Sequence, residues 1–442
     1  MIGATGVDHT EFILEKLVRI LMIGMVDERE EALTLLKEKI EQRGHTVMLA
    51  DVSIGTGAIV PELTPDLTPD EIARAGGSSI ETIRTMLSKE RDKAISIMAD
   101  GMTKKAVEFY ASGQLNGVIA VAGMTGTFLS LTVMRALPFG LPKVLISSVA
   151  AMPAYAKRFA EYFGVRDITV MHTVTDTVGM NNLVRSLMVN GAGAICGMVE
   201  AYEPLINNGK PLIAMTEFGF CDQGAAYMRD QIQSKFNIVA FHATGLGDRA
   251  VEDLVSQGLF DAFVDLVPAN YGEYLLGGNR ASAPDRLESA CKLGIPYILT
   301  PCGFDMISCG PIERRDKNDP LWTSRKLAER ALFVQDAMRV QARTSPDELA
   351  TIAKAVAEKL NKHQNRHLVK FIIPTKGFSS LSVEGGLLYA PEIDRVFVDT
   401  LREYLDPEIE TIEIEAHINT PEFGQIAAQT LEACFTQHMA NG

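Results

Sequence analysis

The sequence predicts an α/β protein made of two Rossmann-like, doubly wound domains with mostly parallel sheets. Apolar, strand-like runs alternate with helical segments along almost the whole chain of 442 residues, and this alternation is interrupted near residue 205. Val18–Val26 is a nearly continuous apolar run, which is typical of a parallel strand covered on both faces. We therefore predict domains at residues 1–203 and 210–442, joined by a linker at about residues 204–209.

The first half reads as five strands separated by helices. Asp27 opens a charged helical segment, and a Gly/Pro-rich excursion at Ser53–Gly77 contains a helix that begins with the capping signature of Thr68. The predicted strands are Val18–Val26, His45–Val52, Gly117–Gly123, Pro142–Ser148 and Asp167–His172. The later helices are expected up to Gly113 and at Phe128–Ala136, Ala154–Phe163 and Asn181–Cys196.

The second half repeats the pattern. The predicted strands are Pro211–Phe218, Asn237–Thr244, Ala262–Val267, Pro296–Cys302, Val369–Pro374 and Glu410–His417. Helices are expected from Gln223, at Asp248–Gly258, Pro284–Leu293 and Val396–Tyr404, and after Pro421. A long helical region is also predicted from Leu327 to Leu360, interrupted at Arg343–Pro346.

Composition and charge exclude several classes of protein. With 42 basic and 56 acidic residues, the net charge is −14, which disfavours binding along nucleic acid. The uncharged stretch Gly117–Met134 is broken by glycines and hydroxyl side chains, so a strand and a helix explain it better than a membrane span. The N-terminus lacks the pattern of a signal peptide, and the six cysteines form no CxxC pair. We predict a cytoplasmic protein without membrane or nucleic-acid partners.

A turn of glycine and threonine, Gly123–Thr127, follows the third predicted strand. In doubly wound sheets, ligands lie beyond the carboxyl ends of the strands. Glycine has no side chain, so its backbone N–H group can face a ligand there, and the threonine hydroxyl groups add further donors. The start of a helix also favours anions. The turn therefore predicts a phosphate or carboxylate site, although an ordinary tight turn also requires glycine and the lysine of a P-loop is missing.

A second glycine motif starts at Gly245. Gly245 and Gly247 fit the pattern G-x-G-x-x-A between a strand and a helix. Asp265 follows about 20 residues after Gly245, the sequence spacing expected for an acid that binds a ribose. This pattern supports a nicotinamide-dependent oxidoreductase as one alternative. Close packing of strand against helix explains the same glycines without any ligand.

Histidines at strand ends are the candidate proton-transfer groups. His242 and His417 each end a predicted strand, and Asp27 and Asp176 lie in loops that could supply a carboxylate partner. These residues support a second alternative, an enzyme acting on a small phosphorylated or carboxylated metabolite. A non-enzymatic, protein-binding regulator is a third. No metal site is predicted, because His363 and His367 lack an accompanying acid.

Several longer motifs carry a family resemblance. They are Leu137–Ala150, Asp176–Asn182, Phe241–Leu254, Asp305–Pro311, Glu384–Gly386 and His417–Phe423. Together they resemble the uncharacterised bacterial and plant family that includes the N-terminal inhibitory domain of the tomato mosaic virus resistance protein. The resemblance implies two α/β subdomains, a Rossmann-like first subdomain that binds ATP, a homodimer, and a possible protein partner.

The leading hypothesis is a nucleotide-binding protein with its ligand in a cleft between the two domains. ATP is the expected ligand, and Mg²⁺ would accompany it because an acidic chain needs a cation to accept phosphates. In the first half, the expected ligand-binding residues are Gly123, Thr125, Gly126, Thr127, Ser147, Thr175, Thr177, Gly179 and Asn181. In the second half, they are Thr216, Thr244, Gly245 and Gly247.

Overall fold

The structure of the protein, a computed structural model, describes residues 18–55, 60–203 and 209–441. The chain divides into two units, residues 1–206 and 207–442. The predicted linker at residues 204–209 lies almost wholly outside the described residues. Both units combine a parallel sheet with flanking helices, which confirms the predicted α/β fold class.

The first unit is built on a five-stranded parallel sheet. Its strands lie in the order β2-β1-β3-β4-β5, and every neighbouring pair is parallel. All six residues of β3 are buried, as expected for a central strand covered on both faces. The strands are β1 (Arg19–Gly24), β2 (Thr46–Asp51), β3 (Gly117–Ala122), β4 (Lys143–Ser147) and β5 (Thr169–His172).

Helices cover both faces of this sheet. Two of them, α1 and α7, share one apolar cluster with the sheet, while the remaining helices pack against its other face. The helices are α1 (Val26–Glu41), α2 (Pro69–Ala75), α3 (Ile80–Met86), α4 (Arg91–Ala111), α5 (Met124–Ala136), α6 (Ala156–Phe163) and α7 (Asn182–Glu200). Thr68 forms the predicted capping box with Glu71 at the start of α2.

The second unit contains a six-stranded parallel sheet and a small antiparallel sheet. The larger sheet has the order β14-β13-β9-β8-β6-β7, and the smaller has the order β10-β12-β11. The strands are β6 (Leu212–Glu217), β7 (Asn237–His242), β8 (Ala262–Asp265), β9 (Tyr297–Leu299), β10 (Met306–Ser308), β11 (Leu332–Val334), β12 (Val340–Arg343), β13 (Val369–Pro374) and β14 (Glu410–Ile414).

The helices of the second unit pack around one large apolar core. They are α8 (Asp222–Ile232), α9 (Leu246–Ser256), α10 (Ala269–Leu276), α11 (Ser289–Leu293), α12 (Pro320–Ser324), α13 (Pro346–Leu360), α14 (Pro391–Tyr404) and α15 (Pro421–Asn441). Within the described part of the chain, no helix is both long and apolar enough to cross a membrane.

The predicted long helix from Leu327 is wrong over its first half. That segment forms a short 3₁₀ helix (Leu327–Glu329), β11 and β12, and only α13 is α-helical as expected. Gln341 and Arg343 in β12 are polar, but both are buried. Gln341 Oε1 accepts from Arg280 Nη2 (3.2 Å), and Arg343 Nη1 donates to the carbonyl oxygen of Asp305 (2.7 Å). Tertiary partners therefore override the local pattern.

His363 follows α13 and is buried. Its Nε2 bonds to the carbonyl oxygen of Ile295 (3.0 Å), and its Nδ1 accepts from the backbone N–H of Asn365 (3.0 Å). This pairing requires the neutral ring with hydrogen on Nε2. Burial lowers the pKa of His363 from 6.5 to about 4.

This buried ring predicts acid sensitivity of the second unit. The unfolded chain binds a proton at His363 below its ordinary pKa, whereas the folded chain does not, so stability is lost as the pH falls from 7 towards 4. Between pH 7 and pH 5 we expect His363 to account for a loss of about 2 kcal/mol in the free energy of unfolding.

Urea unfolding checks this prediction through the fluorescence of Trp322, the single tryptophan of the chain, which is buried in the second unit. His363→Gln keeps a donor for the carbonyl oxygen of Ile295 but cannot titrate. Its loss of unfolding free energy between pH 7 and pH 5 should therefore be smaller by about 2 kcal/mol. The control His367→Gln retains His363 and should retain the loss. Equal acid losses in His363→Gln and the unmutated protein would contradict this assignment.

Candidate functional site

We call the space at the carboxyl edge of the first sheet, between β1 and β3, the crevice. After β1, the chain adds β2 on one side and then returns to add β3 on the other side of β1. At such a switch point the two following connections diverge, and α/β proteins bind ligands there. Residues after Gly24 and after Ala122 therefore border the crevice.

Arg29 is the buried cation of this crevice. Its side chain is only 5% exposed, and its backbone leaves helical geometry within α1. Nε donates to Thr177 Oγ1 (2.9 Å), Nη2 donates to Asp176 Oδ1 (3.4 Å), and Nη1 pairs with Glu28. Arg29 thereby joins the start of α1 to the loop that follows β5. We did not predict Arg29 as a site residue, although a basic residue two positions after Asp27 was visible in the sequence.

Gly123 lies directly against this arginine. A Cβ atom added to Gly123 would lie 2.5 Å from Nη2 of Arg29, which is closer than a carbon and a nitrogen can approach without moving. Glycine is therefore required here so that the guanidinium group can approach the backbone after β3. The predicted ligand-binding residue Gly123 and the unpredicted Arg29 form one site.

The other residues of the Gly123–Thr127 turn have different surroundings. Helix α5 begins at Met124, so Thr125 to Thr127 belong to its first turn rather than to a loop. Thr127 Oγ1 and Ser147 Oγ bond to each other (2.8 Å), and both side chains are fully buried. A Cβ atom on Gly126 would contact Cβ of Ala122 (3.1 Å). Thr127, Ser147 and Gly126 therefore connect α5 to the strands.

The loop after β5 supplies the partners of Arg29. Thr177 is fully buried, and its backbone N–H donates to Asp176 Oδ1 (2.7 Å). The hydroxyl group of Thr175 is buried without a hydrogen-bond partner among the described residues. Gly179 has a φ of 73°, a left-handed turn conformation that favours glycine. Asn181 caps α7 by accepting from Leu183 and Val184, so its side chain already has a structural function.

Asp27 lies on the β2 side of the crevice. Its backbone N–H donates to Ser53 Oγ (3.3 Å), and a side chain at Gly55 would clash with its carboxylate. Oδ1 of Asp27 is buried and has no hydrogen-bond partner among the described residues. A buried carboxylate oxygen without a partner is costly, so this atom is available to a cation or a donor.

Asp51, the last residue of β2, lies near Asp27. Its Oδ1 accepts from the backbone N–H groups of Val26 (3.1 Å) and Ser53 (2.9 Å), which ties the end of β2 to the start of α1. Burial raises the pKa of Asp51. The hydroxyl group of Ser53 also donates to Asp51 Oδ1. We did not predict Asp51 as a site residue, although it is the last residue of β2.

In the second unit, the corresponding crevice between β6 and β8 is occupied by protein groups. Thr216 Oγ1 donates to Asp265 Oδ1 (2.6 Å) and accepts from the backbone N–H of Val267 (3.0 Å). Tyr297 donates to Asp265 Oδ2 (2.9 Å). Thr216 and Asp265 are both fully buried. The predicted ligand-binding residue Thr216 therefore holds two strand ends together.

Arg286 completes this buried network. Its side chain is 1% exposed and contacts three carboxylates, those of Asp265 (2.7 Å), Glu252 (2.9 Å) and Asp248 (3.3 Å). Burial raises the pKa of Asp248 to about 6, although Arg286 acts in the opposite direction. Because both oxygens of Asp265 already have donors, the nicotinamide alternative loses the acid that would bind a ribose.

The glycines of the motif that starts at Gly245 allow α9 to pack closely against β7. A Cβ atom on Gly247 would overlap the carbonyl oxygen of His242, so α9 lies too close to β7 for any side chain there. Gly245 has a φ of 94°, and its N–H donates to Asp248 Oδ2 (2.9 Å). Thr244 is exposed, and its hydroxyl donates only to the carbonyl oxygen of His242 (3.4 Å). This geometry matches the packing interpretation of the motif.

The two strand-end histidines differ in their surroundings. His242 is exposed and stacks on Phe218, with ring centroids 5.4 Å apart, and Arg280 lies over the Phe218 ring at 4.8 Å. His417 is half-buried, and its Nδ1 accepts from the backbone N–H of Asn419 (3.2 Å). Both belong to the second unit, whereas the candidate carboxylates Asp27 and Asp176 belong to the first.

No three-residue metal cluster of His, Cys, Asp or Glu occurs within residues 18–55, 60–203 and 209–441. All six cysteines are buried free thiols, the state expected from their scattered positions.

The sequence of the chain is similar to that of several known proteins. Family models described as "Uncharacterised protein family (UPF0261)" N-terminal domain and C-terminal domain match residues 18–204 and 210–435. A UPF0261 protein of Clostridium tetani is 31% identical over 93% of this chain and 98% of its own length. The ToMV resistance protein Tm-1 of Solanum lycopersicum is 28% identical over 92% of this chain and 54% of its own length.

Among solved structures, a UDP-N-acetylglucosamine 2-epimerase from Rickettsia bellii aligns at a TM-score of 0.23. It is 8% identical and covers 64% of this chain and 78% of its own.

The buried Arg286 network predicts a large stability effect. Arg286→Met would leave the carboxylates of Asp248, Glu252 and Asp265 buried without their cation, so we expect the second unit to lose about 3–5 kcal/mol of unfolding free energy at neutral pH. Urea titration followed by Trp322 fluorescence measures this loss. The matched control Arg395→Met removes an exposed arginine of the same unit and should change the midpoint little. Equal effects of the two substitutions would contradict the network's structural function.

Proposed function

This chain belongs to the uncharacterised protein family UPF0261, and from that premise and the geometry of its first unit we propose that it binds a nucleotide. The phosphate groups of the nucleotide, ATP in the leading hypothesis, would lie at the crevice between β1 and β3. The observation that carries this proposal is the position of Arg29, a buried cation beside Gly123.

The partners of Arg29 support an exchangeable anion site. Glu28 and Asp176, the two carboxylates paired with Arg29, are 52% and 66% exposed, whereas Arg29 itself is buried. An exposed carboxylate regains its hydration when it turns into water, and Arg29 stays paired if a phosphate group takes the place of that carboxylate. A phosphate group can therefore replace one or both carboxylates and form the bidentate contact that guanidinium groups favour.

The start of α5 supplies backbone donors beside the same arginine. No side chain caps this helix, whose N-cap residue is Gly123. The first N–H groups of a helix have no partner within the helix, and the helix dipole adds partial positive charge there. Together with Arg29, these groups form a site suited to phosphate oxygens.

The acidic side of the crevice suits a cation bound together with the phosphates. Mg²⁺ typically uses one or two protein carboxylates and completes its octahedron with phosphate oxygens and water. Asp27 would be the carboxylate that holds it, because Asp27 Oδ1 is buried without a partner among the described residues. Mg²⁺ would offset the negative charge of the phosphates and of Asp27, so that both can occupy the crevice.

We expect titration calorimetry with Mg²⁺ and either ATP or ADP to detect binding to the unmutated protein. Arg29→Gln should weaken it about 10- to 100-fold, because a charge-assisted hydrogen bond contributes about 1.5–3 kcal/mol. Gly123→Ala should weaken it as well, since the added Cβ atom displaces the guanidinium group. The matched control Arg43→Gln removes an exposed arginine near the end of α1 and should bind normally.

Thermal unfolding of each variant separates loss of binding from loss of fold. Gly123→Ala requires movement only of the flexible end of Arg29, so its midpoint without nucleotide should remain near that of the unmutated protein. No heat of binding to the unmutated protein, or equal affinities for the unmutated protein and Arg29→Gln, would contradict the proposal.

A further inference from the structure

A cavity lies beside α5 in the first unit. It has a volume of about 200 Å³ and combines charged, hydroxyl and aromatic side chains. Its lining residues are Arg91, Asp92, Ile95, Met124, Thr125, Phe128, Tyr155 and Arg158. They come from the starts of α4 and α5, from α6 and from the short turn before α6.

Two arginines of this cavity have no carboxylate partner among the described residues. Arg91 Nη2 donates to the hydroxyl group of Thr125 (3.3 Å), and the guanidinium group of Arg158 stacks over the ring of Phe128 at 4.1 Å. Neither contact neutralises the positive charge. In a chain with 56 acidic and 42 basic residues, two cations at one cavity without acidic partners indicate a place for an external anion.

The charge of the lining favours an anion of low charge. Arg91 and Arg158 contribute two positive charges and Asp92 contributes one negative charge, which leaves a net charge of +1. Guanidinium groups bind carboxylates and phosphates alike through paired N–H donors. The hydroxyl group of Thr125 lies at the same position and can share in the contact.

The remaining lining is apolar. Ile95, Met124 and Phe128 pack against the apolar core of the first unit. The ring of Tyr155 meets that of Phe128 edge to face, with centroids 6.2 Å apart. A ligand with a ring or a short hydrocarbon body would bury apolar surface here, while an ion such as inorganic phosphate would leave that surface unused.

We propose that this cavity binds a small organic anion, a carboxylate or phosphate attached to an apolar body. Arg91 and Arg158 recognise the anionic group, and Phe128 and Tyr155 contact the body. This site goes beyond the proposed nucleotide site. Both border the start of α5, but the nucleotide site depends on the side chain of Arg29, whereas this site depends on those of Arg91 and Arg158. The hydroxyl group of Thr125, predicted as a nucleotide ligand, belongs to this cavity.

Ligand-observed NMR titration with four probes tests the proposal on the full chain. Benzoate and phenyl phosphate carry an anion and a ring, benzyl alcohol lacks the charge, and inorganic phosphate lacks the ring. We expect the two organic anions to bind at least tenfold more tightly than either control compound. The double variant R91Q/R158Q should weaken the binding of both organic anions at least tenfold, because the loss of one charge-assisted contact lowers affinity about tenfold or more.

The control variant Arg74→Gln removes an exposed, ion-paired arginine of the same unit and should bind the probes normally. Arg91 and Arg158 are exposed, so an unchanged thermal midpoint of the double variant should exclude misfolding. Saturating ATP with Mg²⁺ should leave probe binding intact, which separates this site from the nucleotide site. Equal binding of benzyl alcohol, unchanged binding by the double variant, or displacement by ATP would each overturn the proposal.

Discussion

Each unit contains a buried arginine near the carboxyl edge of its parallel sheet, and a buried guanidinium group must be paired. Removing a charge from water costs several kcal/mol unless opposite charges and hydrogen bonds compensate it. The two units meet this constraint differently. Arg286 is surrounded by Asp248, Glu252 and Asp265, all buried with it. Arg29 is paired with carboxylates that remain in water.

This difference is the basis of our proposal that the edge of the first sheet accepts a ligand. In the second unit, Thr216 and Asp265 bridge the ends of β6 and β8, so the switch point is filled by protein groups. In the first unit, the crevice between β1 and β3 keeps a cation whose partners can move away. Glycine at position 123 leaves the space that this cation occupies. The same fold class thus provides one edge whose arginine is paired with buried carboxylates and one whose arginine is paired with exposed carboxylates, where we propose that anions exchange.

The alternation of apolar runs with helical segments predicted most of the fold, because parallel strands buried on both faces form apolar runs that few other structures produce. It failed where polar residues are buried by tertiary contacts, as at Gln341 and Arg343 in β12. The site was harder to predict. A sequence cannot distinguish a strand-end acid that faces a ligand from one that faces Arg286, so the Gly245 motif left both a ribose-binding and a packing interpretation of Asp265 open. Arg29 was missed because its importance depends on Gly123, which lies 94 residues away.

The central claim is that phosphates bind between β1 and β3 of the first unit, and a crystal structure of the full chain with ADP and Mg²⁺ tests it most directly. We expect phosphate oxygens within hydrogen-bond distance of the Arg29 guanidinium group and of the backbone N–H groups at the start of α5. The carboxylates of Glu28 and Asp176 should have turned away from Arg29. Phosphates bound instead at Gly245–Gly247 of the second unit, with both carboxylates still on Arg29, would contradict the claim.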